Sequence, residues 1–239
     1  MKTRLINKPQ LFLLHFGGGN CYSYQFLKED LIKAFDFIPL ELPGRGKRMK
    51  EKLIQDNEFA IEDYLEQVKG LRNDQPFLIY GHSMGATMGL YISKRLEMIG
   101  DPPKALVVSG NSGPGTGENK QRHLMSDTEL KQDLEELGGI PNEVFENDEL
   151  FDFFSPILRA DFEVMEKIKD EKEECVINTP IYAVMGDAEE SALDIENWKR
   201  FTSKEFNFRI LPGNHFFIHD NSKELVDIII EQDGRNLVL

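Results

Sequence analysis

The chain has 239 residues, 40% of them hydrophobic, and 28 basic against 42 acidic side chains leave it a formal charge of −14. That length buries one substantial core, so a single domain over 1–239 is expected. So acidic a protein suits neither nucleic acid nor anionic membrane surfaces, and no apolar run approaches the roughly 20 residues of a membrane span.

Met1-Lys2-Thr3-Arg4-Leu5 contains no signal-peptide core. Cys21 and Cys175 have neither C-x-x-C nor zinc spacing, so a reducing cytoplasm is the expected location. Leu11 to His15 reads as a buried strand and runs into Phe16-Gly17-Gly18-Gly19-Asn20. Three successive glycines cannot be a strand interior. The run lacks the Lys-Ser/Thr of a phosphate loop and the G-x-G-x-x-G of a dinucleotide site. It remains either a plain turn or a loop offering a backbone N–H to an oxyanion.

A helix is expected over 22–34, with Tyr24, Leu27, Leu31 and Ile32 near one face. A strand over 35–42 is closed by Pro43-Gly44-Arg45-Gly46. The basic cluster that follows (Arg45, Lys47, Arg48, Lys50, Lys52) is either a solvated face or a docking patch. Ile61 to Leu71 is helical in pattern, and Pro76-Phe77-Leu78-Ile79-Tyr80 is a short, β-prone, buried run.

Gly81-His82-Ser83-Met84-Gly85 then stands between that strand and a helix over 86–96. This is G-x-S-x-G in the setting of a nucleophile elbow. A serine in so tight a turn needs neighbours without Cβ, and the helix behind it turns free N–H groups toward the serine oxygen. Another buried strand, Lys104 to Ser109, completes an alternation of strands and helices. The fold expected is α/β, a mostly parallel central sheet with helices on both faces.

From about 119 to 172 strand patterns cease. Helical patterns over 127–137 and 149–169, split by Gly138-Gly139-Ile140-Pro141, suggest a lid inserted between strands. Sheet patterns resume with Pro180 to Met185 and Phe206 to Leu211, separated by a helix near 195–201, and a helix over 222–231 closes the chain.

A serine hydroxyl needs a base at neutral pH, and the base needs an orienting acid. In α/β-hydrolases these follow the order Ser, acid, His. Here Ser83 is followed by Asp187 and Glu189 after one strand and His215 after the next, all at carboxyl ends of strands. His219 is a rival base, and the elbow should turn the His82 ring away from Ser83. The oxyanion would be held by backbone N–H groups of Met84 and Gly17.

At this point the chain resembles the type II thioesterases, stand-alone α/β-hydrolases that accompany nonribosomal peptide and polyketide synthases. The likeness runs from Phe12 to about Ile230. It includes Phe16-Gly17-Gly18-Gly19, Pro43-Gly44-Arg45-Gly46, the elbow, Leu137-Gly138-Gly139-Ile140-Pro141, Leu158-Arg159-Ala160-Asp161-Phe162 and Gly213-Asn214-His215-Phe216-Phe217. Two positions depart from it: His15 stands where the family usually has proline, and Gly17 where it usually has alanine.

The resemblance implies hydrolysis of acyl groups carried as thioesters on the 4′-phosphopantetheine arm of acyl or peptidyl carrier proteins. It implies a monomer with no metal and no bound cofactor. A carboxylester hydrolase or other small-molecule hydrolase is the alternative, and a non-catalytic binding module fits least because no triad member is missing. For the acid, residue type favours Asp187. A gapless reading of the family's strand, Pro-x-x-x-x-x-Gly-x-x-Asp, favours Glu189, with Asp187 shaping the turn.

Overall fold

The computed structural model describes residues 8–116, 120–139, 141–169 and 175–234. Each apolar run of the sequence divides its side chains between two faces because strand side chains alternate. Strand β1 (Gln10–Leu14) sends Phe12 and Leu14 to one hydrophobic cluster and Leu11 and Leu13 to another. Strands β3 (Phe77–His82) and β4 (Ala105–Ser109) do the same, with Ile79, Leu106 and Val108 on one face and Leu78, Tyr80 and Val107 on the other. Two-sided burial is why these strands read as continuous apolar runs rather than alternating ones.

With β2 (Asp36–Leu40), β5 (Ile181–Gly186) and β6 (Phe206–Leu211), the sheet has six strands among the described residues, in the order β2-β1-β3-β4-β5-β6. Every pairing is parallel. Helices α1 (Gln25–Ala34) and α7 (Ser222–Gln232) cover one face through Leu27, Leu31, Leu225, Ile228 and Ile229. The other face is covered by α2 (Asn57–Leu71) and α3 (Met84–Met98), with a 3-10 helix, Ala192–Phe201, that buries Trp198.

Helix α1 begins later than its hydrophobic pattern suggests. Tyr24 precedes it yet is buried, its hydroxyl donating to the Leu14 carbonyl at 2.8 Å, whereas Ile32 is 42% exposed. Between β4 and β5 lie α4 (Asp127–Leu137), α5 (Asn142–Glu146) and α6 (Asp148–Lys169). Helix α4 is fixed at its start by a capping box, Ser126 with Glu129. The expected limits of the insertion, 119 and 172, lie outside the described residues, as does Ile140.

Helix α6 serves two cores. Phe151 and Leu158 pack with Leu130, Leu134 and Val144 in a cluster of the inserted helices alone, while Val164 and Ile168 belong to the cluster beneath the sheet. The insertion thus has its own small core and is anchored through the C-terminal half of one helix. Among the described residues no helix is long and apolar enough to cross a membrane.

Candidate active site

The turn from β3 into α3 is as tight as the glycines demand. A Cβ on Gly81 would lie 2.0 Å from the Gly85 carbonyl oxygen, and one on Gly85 would lie 2.1 Å from that of Leu14. Ser83 between them has φ 54 and ψ −113, a left-handed region that L-residues rarely adopt. Such a conformation costs on the order of 1–3 kcal/mol and persists only where its surroundings impose it. Here the Ser83 N–H is tied to the Ser109 carbonyl at 2.8 Å, and the helix starts at the next residue.

Two loops meet beyond the ends of β5 and β6. A Cβ on Gly186 would fall 2.4 Å from the Gly213 carbonyl oxygen, so only glycine allows this approach. Asp187 fastens the loops together. Its backbone N–H donates to Leu211 O at 2.8 Å, and its Oδ1 accepts the Gly213 N–H at 2.8 Å. Glu189 turns back instead: Oε1 accepts the Gly186 N–H at 2.8 Å and Oε2 lies 2.8 Å from His215 Nδ1. The pair is nearly enclosed, with 7% of the glutamate side chain and 13% of the histidine side chain exposed. The acid that meets His215 is therefore Glu189, and Asp187 is a turn residue.

His215 and Ser83 line one cavity of about 170 Å³ together with Phe16, Gly17 and Leu158. Its walls are otherwise apolar and come largely from the inserted helices. A second, polar cavity of about 440 Å³ lies on the Glu189 side of His215, bordered by Asn111, Ser112, Glu190, Ser191 and Asn214. Among the described residues neither the Gly17 nor the Met84 N–H has a protein acceptor, and Gly17 lines the cavity with Ser83.

The other histidines nearby have different duties. His82 is buried, its Nδ1 2.9 Å from Ser109 Oγ, and burial together with neighbouring His215 depresses its pKa well below the usual value. It makes no hydrogen bond to Ser83. The His219 ring lies against Phe26, 4.4 Å between centroids, and has no hydrogen-bonded carboxylate among the described residues.

A family model for the thioesterase domain matches residues 9–232, nearly the whole of this chain. The chain belongs to the thioesterase family. Similar proteins include the gramicidin S biosynthesis protein GrsT of Aneurinibacillus migulanus, 30% identical over 94% of this chain and 89% of that protein. The linear gramicidin dehydrogenase LgrE of Brevibacillus parabrevis is 31% identical over 92% and 85%. Among solved structures, ClbQ from the colibactin NRPS/PKS pathway superposes with a TM-score of 0.86 at 26% identity, covering 95% of this chain and 98% of that one.

The dehydrogenase in one of those names does not suit the glycine loop of this thioesterase. A dinucleotide pyrophosphate needs free backbone N–H groups. Here the Gly18 N–H already donates to the Asp161 carboxylate at 2.8 Å and is not free for a phosphate.

Asp161 is a residue whose partner the sequence did not reveal. It is fully buried on α6 and accepts two hydrogen bonds from the buried Arg45 guanidinium, at 2.5 and 2.8 Å. One carboxylate thus ties the inserted helices, the Pro43–Gly46 loop and the glycine loop together. Asp161→Ala strands a buried guanidinium, and we expect it to destabilise the thioesterase by about 3–5 kcal/mol. Urea denaturation measures this, and a loss below about 1 kcal/mol would show that Arg45 finds another partner.

The same pairing shrinks the basic cluster expected from the sequence. Arg45 is interior, and Arg48 is held by Asp63 at 2.6 Å and by Glu51 at 2.7 Å. Both are committed within the protein.

Proposed function

We propose that this thioesterase removes acyl, aminoacyl or peptidyl groups from the 4′-phosphopantetheine arm of carrier proteins, and so edits or regenerates a nonribosomal peptide or polyketide synthase. The observation that carries the reading is His215 bordering both an apolar slot, which Ser83 also lines, and a more polar cavity, with Glu189 on the imidazole. The slot suits the acyl chain, and the polar cavity suits an amide-rich arm. Support also comes from relatives assigned to gramicidin S biosynthesis and to a colibactin NRPS/PKS pathway. A carrier-borne substrate and two cysteines outside any disulfide fit the cytoplasm.

Ser83 Oγ attacks the thioester carbonyl while His215 Nε2 takes its proton. The carbonyl oxygen becomes an oxyanion held by the Met84 and Gly17 N–H groups, each worth on the order of 3 kcal/mol in the transition state. The C–S bond breaks, His215 returns the proton to the departing thiol, and water then releases the acyl group from Ser83 by the same steps in turn. Proton and acyl transfer through these side chains call for no metal or redox cofactor.

The test compares kcat/KM for an acyl group on a carrier protein, on free pantetheine and in an unactivated ethyl ester. The carrier-bound thioester is expected to exceed the free thioester by at least about tenfold, since remote binding contributes to the transition state. An unactivated ethyl ester preferred over both thioesters would make the enzyme a carboxylesterase instead.

A further inference from the structure

His15 is buried completely just before the glycine loop, and the acyl-transfer steps above do not use it. Its Nδ1 lies 2.8 Å from the Phe16 carbonyl oxygen, and its Nε2 lies 3.3 Å from the Leu42 N–H. Burial, helped by nearby Arg45, lowers its pKa to about 4, so the ring is neutral at working pH. A neutral imidazole has one donor and one acceptor. The Leu42 N–H can only donate, so Nε2 accepts, and the proton resides on Nδ1 and is donated to Phe16 O.

The Phe16 carbonyl and the Gly17 N–H belong to the same peptide unit. That unit is planar and trans, with no cis peptide in the described chain, so its C=O and N–H point in opposite directions. Whatever holds the carbonyl therefore aims the N–H. Two donors hold it: His15 Nδ1–H at 2.8 Å, and the Gly19 N–H at 2.9 Å from within the loop. The opposite end of the peptide, Gly17, faces the cavity that contains Ser83.

We infer that His15 is a positioning residue for oxyanion stabilisation, acting through the Phe16–Gly17 peptide to direct the Gly17 N–H at the reacting carbonyl. The inference rests on the thioesterase reading and extends it to a residue that touches no substrate. A glycine-rich loop is flexible, and an oxyanion donor is effective only when its direction is fixed before the charge develops. His15 supplies a side-chain donor from outside the loop, beside the loop's own Gly19 N–H, to the carbonyl whose peptide carries the Gly17 N–H.

Two substitutions separate this role from simple packing. The side-chain amide of His15→Asn occupies the place of Nδ1 and can still donate to Phe16 O, but it cannot reach Leu42. His15→Gln reaches the place of Nε2, satisfying Leu42 while leaving Phe16 O without its donor. Rates are measured per Ser83 titrated with a fluorophosphonate, alongside inhibition by a trifluoromethyl ketone whose serine adduct carries the oxyanion. His15→Ala and His15→Gln are expected to lower kcat by at least about tenfold with KM within about threefold, and to weaken the ketone in parallel. His15→Asn is expected to recover kcat to within about threefold of the parent enzyme.

A His15→Gln enzyme as fast as the parent, or a His15→Asn enzyme as slow as His15→Ala, would overturn the inference while leaving the thioesterase reading intact. The same holds if losses in all three variants simply follow their thermal midpoints. A parent enzyme that neither hydrolyses thioesters nor forms the ketone adduct would instead refute the reading itself.

Discussion

Ser83→Ala is expected to lower thioester hydrolysis by at least about 10³-fold while leaving the fold and its stability within about 0.5 kcal/mol of the parent. The first half follows from the absence of any substitute nucleophile at the elbow: His82 is turned into the core, and Met84 and Gly85 carry no reactive group. The second half follows because the Ser83 hydroxyl has no hydrogen-bond partner among the described residues, and its backbone N–H bond to Ser109 survives the change. Hydrolysis of an acyl-carrier thioester, read together with a urea melt, checks both halves. An alanine enzyme retaining more than about a tenth of parental activity would remove Ser83 from the reaction.

The second large effect separates two carboxylates only two positions apart. Glu189→Gln is expected to reduce kcat by about 10²–10⁴-fold, because an amide can stabilise the wrong imidazole tautomer and no longer balances the imidazolium that forms. Asp187→Asn keeps an oxygen for the Gly213 N–H and is expected to cost less than about fivefold. Single-turnover rates for both variants decide the assignment. Reversed magnitudes would mean that His215 takes its support from Asp187 in the working enzyme, against the 2.8 Å contact with Glu189.

What could be read from the sequence was whatever local sterics or a short repeat dictates. The elbow was legible because Gly81 and Gly85 are required within four residues of one another, and both prove to face backbone oxygens at distances no Cβ tolerates. Helix α4 was legible because Ser126 and Glu129 announce its start and Leu130 and Leu134 repeat at helical spacing. Helix α5, only five residues long, has too little length to show a period.

Arg45 read as part of a charged surface because its partner is 116 residues away on another element. Pairing at that separation leaves no local mark. The choice of Glu189 over Asp187 was legible only through the resemblance. Its physical reason, that Asp187 is used up in closing the Gly213 turn, needs the two loops side by side.

Asp161 makes the inserted helices and the chemistry mechanically inseparable. A carboxylate on α6 holds both Arg45 and the peptide after Gly17, so a rigid swing of the whole helix away from the body would unlatch the glycine loop beside Ser83. An opening that leaves the enzyme primed must bend α6 on the N-terminal side of Asp161. Pro156 lies in that stretch and has no amide N–H to give the carbonyl of Asp152, so the helix is short of one hydrogen bond there.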